Sequence, residues 1–377
     1  MNDAAVNPSI ESVGINPTRL WGLTMAERTR RIGAASGLVG DGKAPVVLVN
    51  ADFTADPAWI RHMVASPDLM LTVDGIAALA HATNPAQAEA IRTAMEEGLQ
   101  LDSGGGMAIL RYEDGPTIEN KQLRKRETPF VMRLNAANVR KIERASYFGA
   151  YKGVTDVLTK YLWPEWALII TRISARIGMT PNMVTAIGAV LCVAATFLFA
   201  WGHYWEGMAL GLIFMVLDTV DGKLARCTIT SSWWGNVFDH GIDLVHPPFW
   251  WWFWATGLVH WGLGLDNETF WFVQIAIQGG YIVQRVIEGL FIMRNGMHIH
   301  VWRRFDSWFR LFTARRNPNM LILFVALLFA RPDIGIIAVA WWTIASLAVH
   351  TVQLIQAEIA RARKGSQLTS WLSGDAQ

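Results

Sequence analysis

Residues 218–243, DTVDGKLARCTITSSWWGNVFDHGID, decide how the rest of the chain is read. They fit the spacing D-x-x-D-G-x-x-A-R-x8-G-x-x-x-D-x-x-x-D, with Asp218, Asp221, Gly222, Ala225, Arg226, Gly235, Asp239 and Asp243 at the specified positions. The surroundings are strongly apolar, and an ionisable side chain at membrane depth is costly unless it faces a polar cavity and has work to do there. On a helix, offsets of three, four and seven residues return near the starting direction, so Asp218, Asp221, Gly222 and Ala225 share an arc of roughly 100°. Gly235, Asp239 and Asp243 form a second such stripe. If the two helices pack side by side, their carboxylates converge on a space suited to one or two divalent cations with all-oxygen ligands. Gly222 and Ala225 keep that face shallow, and the bidentate fork of Arg226 suits a phosphate. Cations bridging a phosphate would polarise it and shield an attacking oxygen, so phosphoryl-type transfer is the chemistry this constellation implies. Single carboxylate pairs of this kind also serve as helix caps or ion-pair partners.

The apolar character starts near residue 165 and accounts for a 52% hydrophobic composition with 19 Trp in 377 residues. Segments 183–200, 207–223, 236–263, 270–292, 320–330 and 334–355 are candidate spans, several reaching the approximately 20 residues a bilayer requires. Loop charge supports six. Lys152, Lys160, Arg172 and Arg176 precede the first span, Lys223 and Arg226 lie at the second turn-around, and Arg294, Arg303, Arg304, Arg310, Arg315 and Arg316 fill the fourth loop. Arg361, Arg363 and Lys364 follow the last span, whereas the loops at 201–206 and 264–269 contain no Lys or Arg. The positive-inside rule then puts both termini and the acidic site on the cytoplasmic side of a multi-pass cell-membrane protein.

The complete motif resembles the signature of the CDP-alcohol phosphotransferases (CDP-alcohol phosphatidyltransferases), over roughly residues 150 to 360. The resemblance implies a six-helix membrane enzyme, often a homodimer, that displaces CMP from a CDP-linked alcohol donor with the hydroxyl of an acceptor, using Mg2+ or Mn2+, two per site. It also implies roles by position. Asp218, Asp221 and Asp239 match the metal ligands. Asp243 matches the general base and a further metal ligand, while Gly222, Ala225 and Arg226 match the part that embraces the CDP moiety and Gly235 matches the tight-packing glycine of the same substrate-binding set. Asn182, after Thr180 and Pro181, resembles the entry to the first span that borders the substrate pocket. In layout the chain is similar to members like di-myo-inositol phosphate phosphate synthases, so phospholipid or inositol-phosphate metabolism is the expected setting. A non-catalytic transporter or cation-binding scaffold reusing the fold is the rival reading.

Residues 1–140 read as a small cytoplasmic α/β domain. Strands are predicted at 46–50 and 69–73 and helices at 57–65 and 85–98, an alternation typical of α/β units. The stretch VVLVNADFTADPAWIRHM is faintly similar to a nucleotidyltransferase domain without its glycine-rich signature, which makes a degenerate unit the expectation. Gly37, Gly42 and Lys43 mimic a phosphate-binding loop, but Ala44 replaces the hydroxyl residue and a strand follows instead of a helix. Residues 104–106 suggest a tight turn. The predicted fold class is therefore an all-α polytopic domain with six transmembrane helices at 183–360, preceded by the α/β domain and by a linker with an amphipathic helix at 141–182, and followed by a tail at 361–377.

Elsewhere the residues favour packing or solvation. Cys192 and Cys227 are placed for neither a disulfide framework nor a zinc site. Net charge is only +2, and no nucleic-acid partner is expected. Arg285 and Glu288, spaced i,i+3, read as a buried ion pair or an acceptor-binding pair. His246 lies on the stripe of Asp239 and Asp243, beside Pro247 and Pro248. Arg315, Arg316 and Asn317 stand where they would grip an acceptor phosphate, although loop-charge bias alone would also put arginines there.

Overall fold

The chain is described from a computed structural model covering residues 8–38, 42–100, 106–364 and 368–373. The turn expected at 104–106 lies outside the described residues except for Gly106, as do residues 365–367 and 374–377 of the C-terminal tail.

Among the described residues, nine strands lie in the N-terminal region: β1 (Ser9–Val13), β2 (Val46–Asn50), β3 (Phe53–Ala55), β4 (Leu69–Val73), β5 (Ile76–Ala82), β6 (Ala108–Arg111), β7 (Ile118–Asn120), β8 (Lys125–Glu127) and β9 (Val131–Arg133). Between them lie α1 (Met25–Ala35), α2 (Pro57–Val64) and α3 (Pro85–Glu97). The main sheet has the order β1-β2-β5-β4-β6; β1 and β2 pair in parallel, as do β4 and β6, and the other two pairings are antiparallel. Side chains alternate across β2, so Val47 and Val49 pack with Ile32, Trp59, Ile60 and Met63 on one face. Val46 and Leu48 pack with Ala88, Ile91 and Met95 on the other. Burial on both faces explains why β2 reads as an unbroken apolar run. The helix starts follow local chemistry: Asp56 and Asn84 accept backbone N–H bonds as N-caps, each with proline at the next position.

The remainder is helical. In order come α4 (Val139–Gly149), α5 (Pro164–Arg176), α6 (Pro181–Ala200), α7 (Tyr204–Cys227) and α8 (Trp233–Gly257). Helix α9 (Asn267–Gln274) passes through a π-helical turn, Ile275–Gly279, into α10 (Gly280–Asn295), and α11 (Arg304–Phe309), α12 (Arg316–Leu328) and α13 (Pro332–Lys364) follow. Each of the six predicted stretches is largely helical. Among the described residues, three stretches are long and apolar enough to cross a membrane: Pro181–Ala200, Asn267–Asn295 and Pro332–Arg363, with mean hydropathies of 2.3, 1.2 and 1.7. Outward-facing Val190, Met293, Phe329 and Trp341 are all more than half exposed, an apolar surface that a bilayer would cover. The predicted amphipathic helix is α5, which exposes Trp166, Ile169 and Ile173 while burying Ala167, Leu168 and Thr171.

Inside the bundle, aromatic residues pack and donate at once. Trp250 and Trp254 are fully buried, and their indole N–H groups donate to the carbonyls of Cys192 and Pro332. The Tyr204 hydroxyl donates to the carbonyl of Trp254. Helix α8 contains Pro247 and Pro248, so the carbonyls of Asp243 and Leu244 lack their helical donors. Tyr281 of α10 donates its hydroxyl to the Leu244 carbonyl, satisfying one of the two.

Helices α6 and α8 approach each other closely at Gly257, where a Cβ would stand 2.0 Å from the backbone oxygen of Phe199. Gly257→Ala must push the helices apart and is expected to cost stability at or above the upper end of the roughly 1–3 kcal/mol typical of overpacking. Thermal melting in detergent checks this against Gly289→Ala, whose Cβ would meet nothing within 4 Å.

Candidate active site

Ser232 starts α8 by accepting the backbone N–H of Gly235 at 3.0 Å, and Thr180 does the same for Met183 at the start of α6. These caps set which residues face α7. Asp218 from α7 and Asp239 and Asp243 from α8 bring one oxygen each within 4.8 Å of one another. The two stripes predicted from spacing therefore converge.

Asp221 is held differently. It is 3% exposed and its Oδ2 accepts the hydroxyl of Thr185 on α6 at 2.6 Å, so it stands next to the three-carboxylate group instead of completing it. Access differs as well, because the Asp243 side chain is 44% exposed against 29% for Asp239 and 18% for Asp218. Asp243 is the member of the set that an incoming hydroxyl reaches most easily.

The small residues of the motif have geometric reasons. A Cβ at Gly222 would stand 3.2 Å from Nη2 of Arg226, so the glycine lets that guanidinium lie across its own helix face. A Cβ at Gly235 would stand 3.0 Å from Oδ1 of Asn182, which places the two predicted substrate-side residues together at the starts of α8 and α6. Ala225 lies one residue before Arg226 on α7 and is partly buried.

Arg316 stands at the start of α12, a position open either to an acceptor phosphate or to the ordinary loop-charge bias. Its guanidinium bonds Oδ2 of Asp218 and Oδ1 of Asp243, each at 2.6 Å, and lies over the ring of Phe214. A cation is therefore already seated on two of the three carboxylates. An all-oxygen, anionic set of this kind fits a hard divalent cation, and the Arg316 contact shows that the site accepts positive charge.

Behind Arg316 the neighbouring Asn317 donates to Oδ1 of Asp156 at 3.0 Å and to Oγ1 of Thr159 at 3.1 Å. Burial pushes the Asp156 carboxyl up, but the charge of Arg310 and the bonds from Thr159 and Asn317 outweigh it and hold it below the usual range. Arg315 and Arg285 both bond Glu288, so the predicted i,i+3 pair is part of a larger cluster. Arg310 is 8% exposed, and its Nε and Nη1 have no hydrogen-bond partner among the described residues. The Nε atoms of Arg124, Arg285 and Arg315 share that condition. Burial, then the charges of Arg124 and Arg226, push the Lys152 ammonium down to about 8, with Asp239 and Asp218 opposing the shift. The region thus has an acidic side and a basic side, and the basic one carries buried donors without partners among the described residues.

His246, on the stripe of Asp239 and Asp243, is buried against Phe214 and Trp250, with Nδ1 on the carbonyl of Ile242. Packing describes it. Sequence reasoning did not anticipate Thr185, Arg124 or Arg310 as part of this region; a lone hydroxyl on an apolar helix and arginines in distant loops carry no signal of where they converge.

Residues 178–293, which contain the whole acidic motif, match the CDP-alcohol phosphatidyltransferase family. Within those residues the chain is similar to that family. Cholinephosphotransferase 1 of Gallus gallus is 33% identical to it over 127 residues, covering 31% of this chain and 36% of the relative. Choline/ethanolaminephosphotransferase 1 of Arabidopsis thaliana is 34% identical over 113 residues, covering 26% of this chain and 28% of the relative. The chain therefore spans about a third of the length of these curated relatives. Among solved structures, the Mycobacterium tuberculosis phosphatidylinositol phosphate synthase with CDP-DAG bound aligns with a TM-score of 0.38 and 16% identity, covering 50% of this chain and 92% of that one.

Proposed function

We propose that this protein is a multi-pass membrane CDP-alcohol phosphotransferase that moves a phosphoalcohol or phosphatidyl group from a CDP-linked donor to an acceptor hydroxyl, releasing CMP. The observation that carries the reading is the convergence of Asp218, Asp239 and Asp243 within 4.8 Å, at residues that match the family. Asp218, Asp221 and Asp239, with Asp243, would hold two divalent cations, Mg2+ or Mn2+. Such cations, when bound, supply charge neutralisation at the diphosphate.

The chain's own residues do the rest. Arg226 lies across the face opened by Gly222 and Ala225 and holds the diphosphate by its guanidinium donors. Asn182 and Gly235 form the edge of the CDP pocket. Asp243, the most open carboxylate, takes the proton of the acceptor hydroxyl. The acceptor oxygen then bonds to the β-phosphorus as the bond from that phosphorus to the CMP oxygen breaks, and CMP leaves with the electron pair.

The six helices beginning at α6, α7, α8, α9, α12 and α13 are proposed to span the bilayer, with the termini and the site facing the cytoplasm at the cell membrane, in a homodimer. Residues 1–140 form a cytoplasmic nucleotidyltransferase-like unit without its catalytic signature, residues 141–182 a juxtamembrane linker, and residues 361–377 a tail.

The relatives named above include cholinephosphotransferases, but the basic side favours a different acceptor here. Buried arginine nitrogens without partners are costly, and a phosphomonoester would satisfy several at once. A phosphorylated alcohol such as inositol phosphate or glycerol phosphate is the acceptor class this supports. Detergent-purified protein is to be incubated with CDP-diacylglycerol, CDP-inositol or CDP-choline, each against inositol phosphate, glycerol phosphate, serine and diacylglycerol. Metal-dependent CMP release with a phosphorylated acceptor is expected. Release only with diacylglycerol would overturn the acceptor class, and none with any pair the activity itself.

A further inference from the structure

The turn between the two acidic helices, residues 228–232, is gripped from outside by the N-terminal region. Helix α7 ends at Cys227, where its last carbonyls have no intrahelical donors. Arg28 of α1, only 2% exposed, donates Nη1 to the Cys227 carbonyl at 3.0 Å. Arg31, one turn further along α1, donates Nη1 to the Thr228 carbonyl at 2.9 Å. Two cations thus cap a helix C-terminus, where the negative end of the helix dipole favours them.

A second contact is apolar. Ile229 adopts a left-handed backbone, φ +53, which a β-branched residue rarely accepts unless its surroundings require it. Its side chain packs against the cluster that forms one face of the N-terminal sheet. A third contact runs through Trp21, whose indole donates to the Ser146 hydroxyl at 2.9 Å, with Ser146 in turn 3.8 Å from the sulfur of Cys227.

Asp218 lies nine residues before the end of α7, and Asp239 six residues into α8. The turn sets how the two helices register, hence how far apart their carboxylates sit. We infer that the N-terminal α/β region is a brace for the α7–α8 turn, with Arg28 and Arg31 as positioning residues that fix the spacing of Asp218 against Asp239 and Asp243 and so tune cation binding and transfer rate. The brace lies outside residues 178–293, so the spacing of the acidic site depends on a part of this chain that the family match does not include. The inference rests on the proposed reading of that acidic site.

The test uses full-length protein carrying Arg28→Ala together with Arg31→Ala, with Arg28→Lys as the conservative variant. Two readouts are taken per folded molecule: binding of Mn2+ by electron paramagnetic resonance, and CMP release as a function of Mg2+. The double variant is expected to bind Mn2+ at least tenfold more weakly and to lose turnover, with the KM for acceptor little changed. Arg28→Lys is expected to recover most of the metal affinity, since a lysine ammonium still caps the Cys227 carbonyl. A merely structural role would lower the yield of folded protein and leave metal affinity per molecule unchanged, which would overturn the brace. If the double variant does not fold, Ile229→Ala is read the same way, because it loosens the same turn without touching a charge. Should the wild type bind Mn2+ but release no CMP, the proposed activity fails while the brace still stands or falls on Mn2+ affinity. Absence of Mn2+ binding in the wild type overturns both.

Discussion

Asp239→Asn and Asp218→Asn are each expected to lower metal-dependent CMP release by about a thousandfold or more, with Asp243→Asn falling by roughly 10² to 10⁴. The magnitudes follow from what each carboxylate is asked to supply. Neutralising a ligand forfeits several kcal/mol of charge stabilisation at the diphosphate, and each 1.36 kcal/mol is a factor of ten in rate. Asp243 differs because it is 44% exposed, against 29% for Asp239 and 18% for Asp218. Its replacement should leave donor affinity nearly intact and act mainly on turnover, the pattern of a group that works in the transition state. The measurement is CMP release by purified protein across a titration of Mg2+ and Mn2+. If Asp218→Asn and Asp243→Asn both retained near-wild-type, metal-dependent rates, the acidic cluster would not be the reacting centre.

Arg316→Ala is expected to have the largest effect on stability, and one that depends on metal. Its guanidinium bonds Asp218 and Asp243, and its own side chain is only 11% exposed. Removing one partner of a buried ion pair typically costs about 3–5 kcal/mol, because the other charge is left uncompensated. Here two carboxylates are left. A divalent cation is drawn to the same oxygens, so the variant should melt far below the wild type in chelator and recover much of the difference as Mg2+ or Mn2+ is added, following the usual linkage between ligand binding and stability. Equal losses with and without metal would mean that Arg316 and the cations do not compete. Melting curves in detergent, with metal varied from chelated to millimolar, separate the two outcomes.

Much of the acidic site was legible because helical periodicity is a local property. Asp218, Asp239 and Asp243 could be placed on facing stripes by counting residues, and the apolar runs that became α6 and α13 announce themselves by composition. The strand β2 and helices α2 and α3 were readable for the same reason, since proline and a capping side chain mark where each helix begins. Other parts were not. Strand β5 is rich in alanine, which has weak strand preference, so its central place in the sheet comes from burial that only the tertiary fold supplies. Helix α1, MAERTRRIGAA, looks like a solvated basic helix, yet Arg28 is buried on a carbonyl 199 residues away. Asp221 shows the limit within the motif itself: periodicity puts it on the right face, but the hydroxyl of Thr185 decides what it touches. Arg316 could be read from its place at the mouth of a span either as a phosphate ligand or as ordinary loop charge, and only the three-dimensional fold brings it to Asp218 and Asp243.

The paired prolines of α8 carry a mechanical consequence. With two rungs of its backbone ladder missing between Asp243 and Pro248, and only one freed carbonyl taken up by Tyr281, α8 is most compliant there. The half bearing Trp250 and Trp254 is locked into the bundle by indole bonds to two other helices. On the proposed reading, a bulky diphosphate arriving between the carboxylates would be accommodated by flexing one end of a single rod, without prising apart the tightly interlocked aromatic floor beneath it.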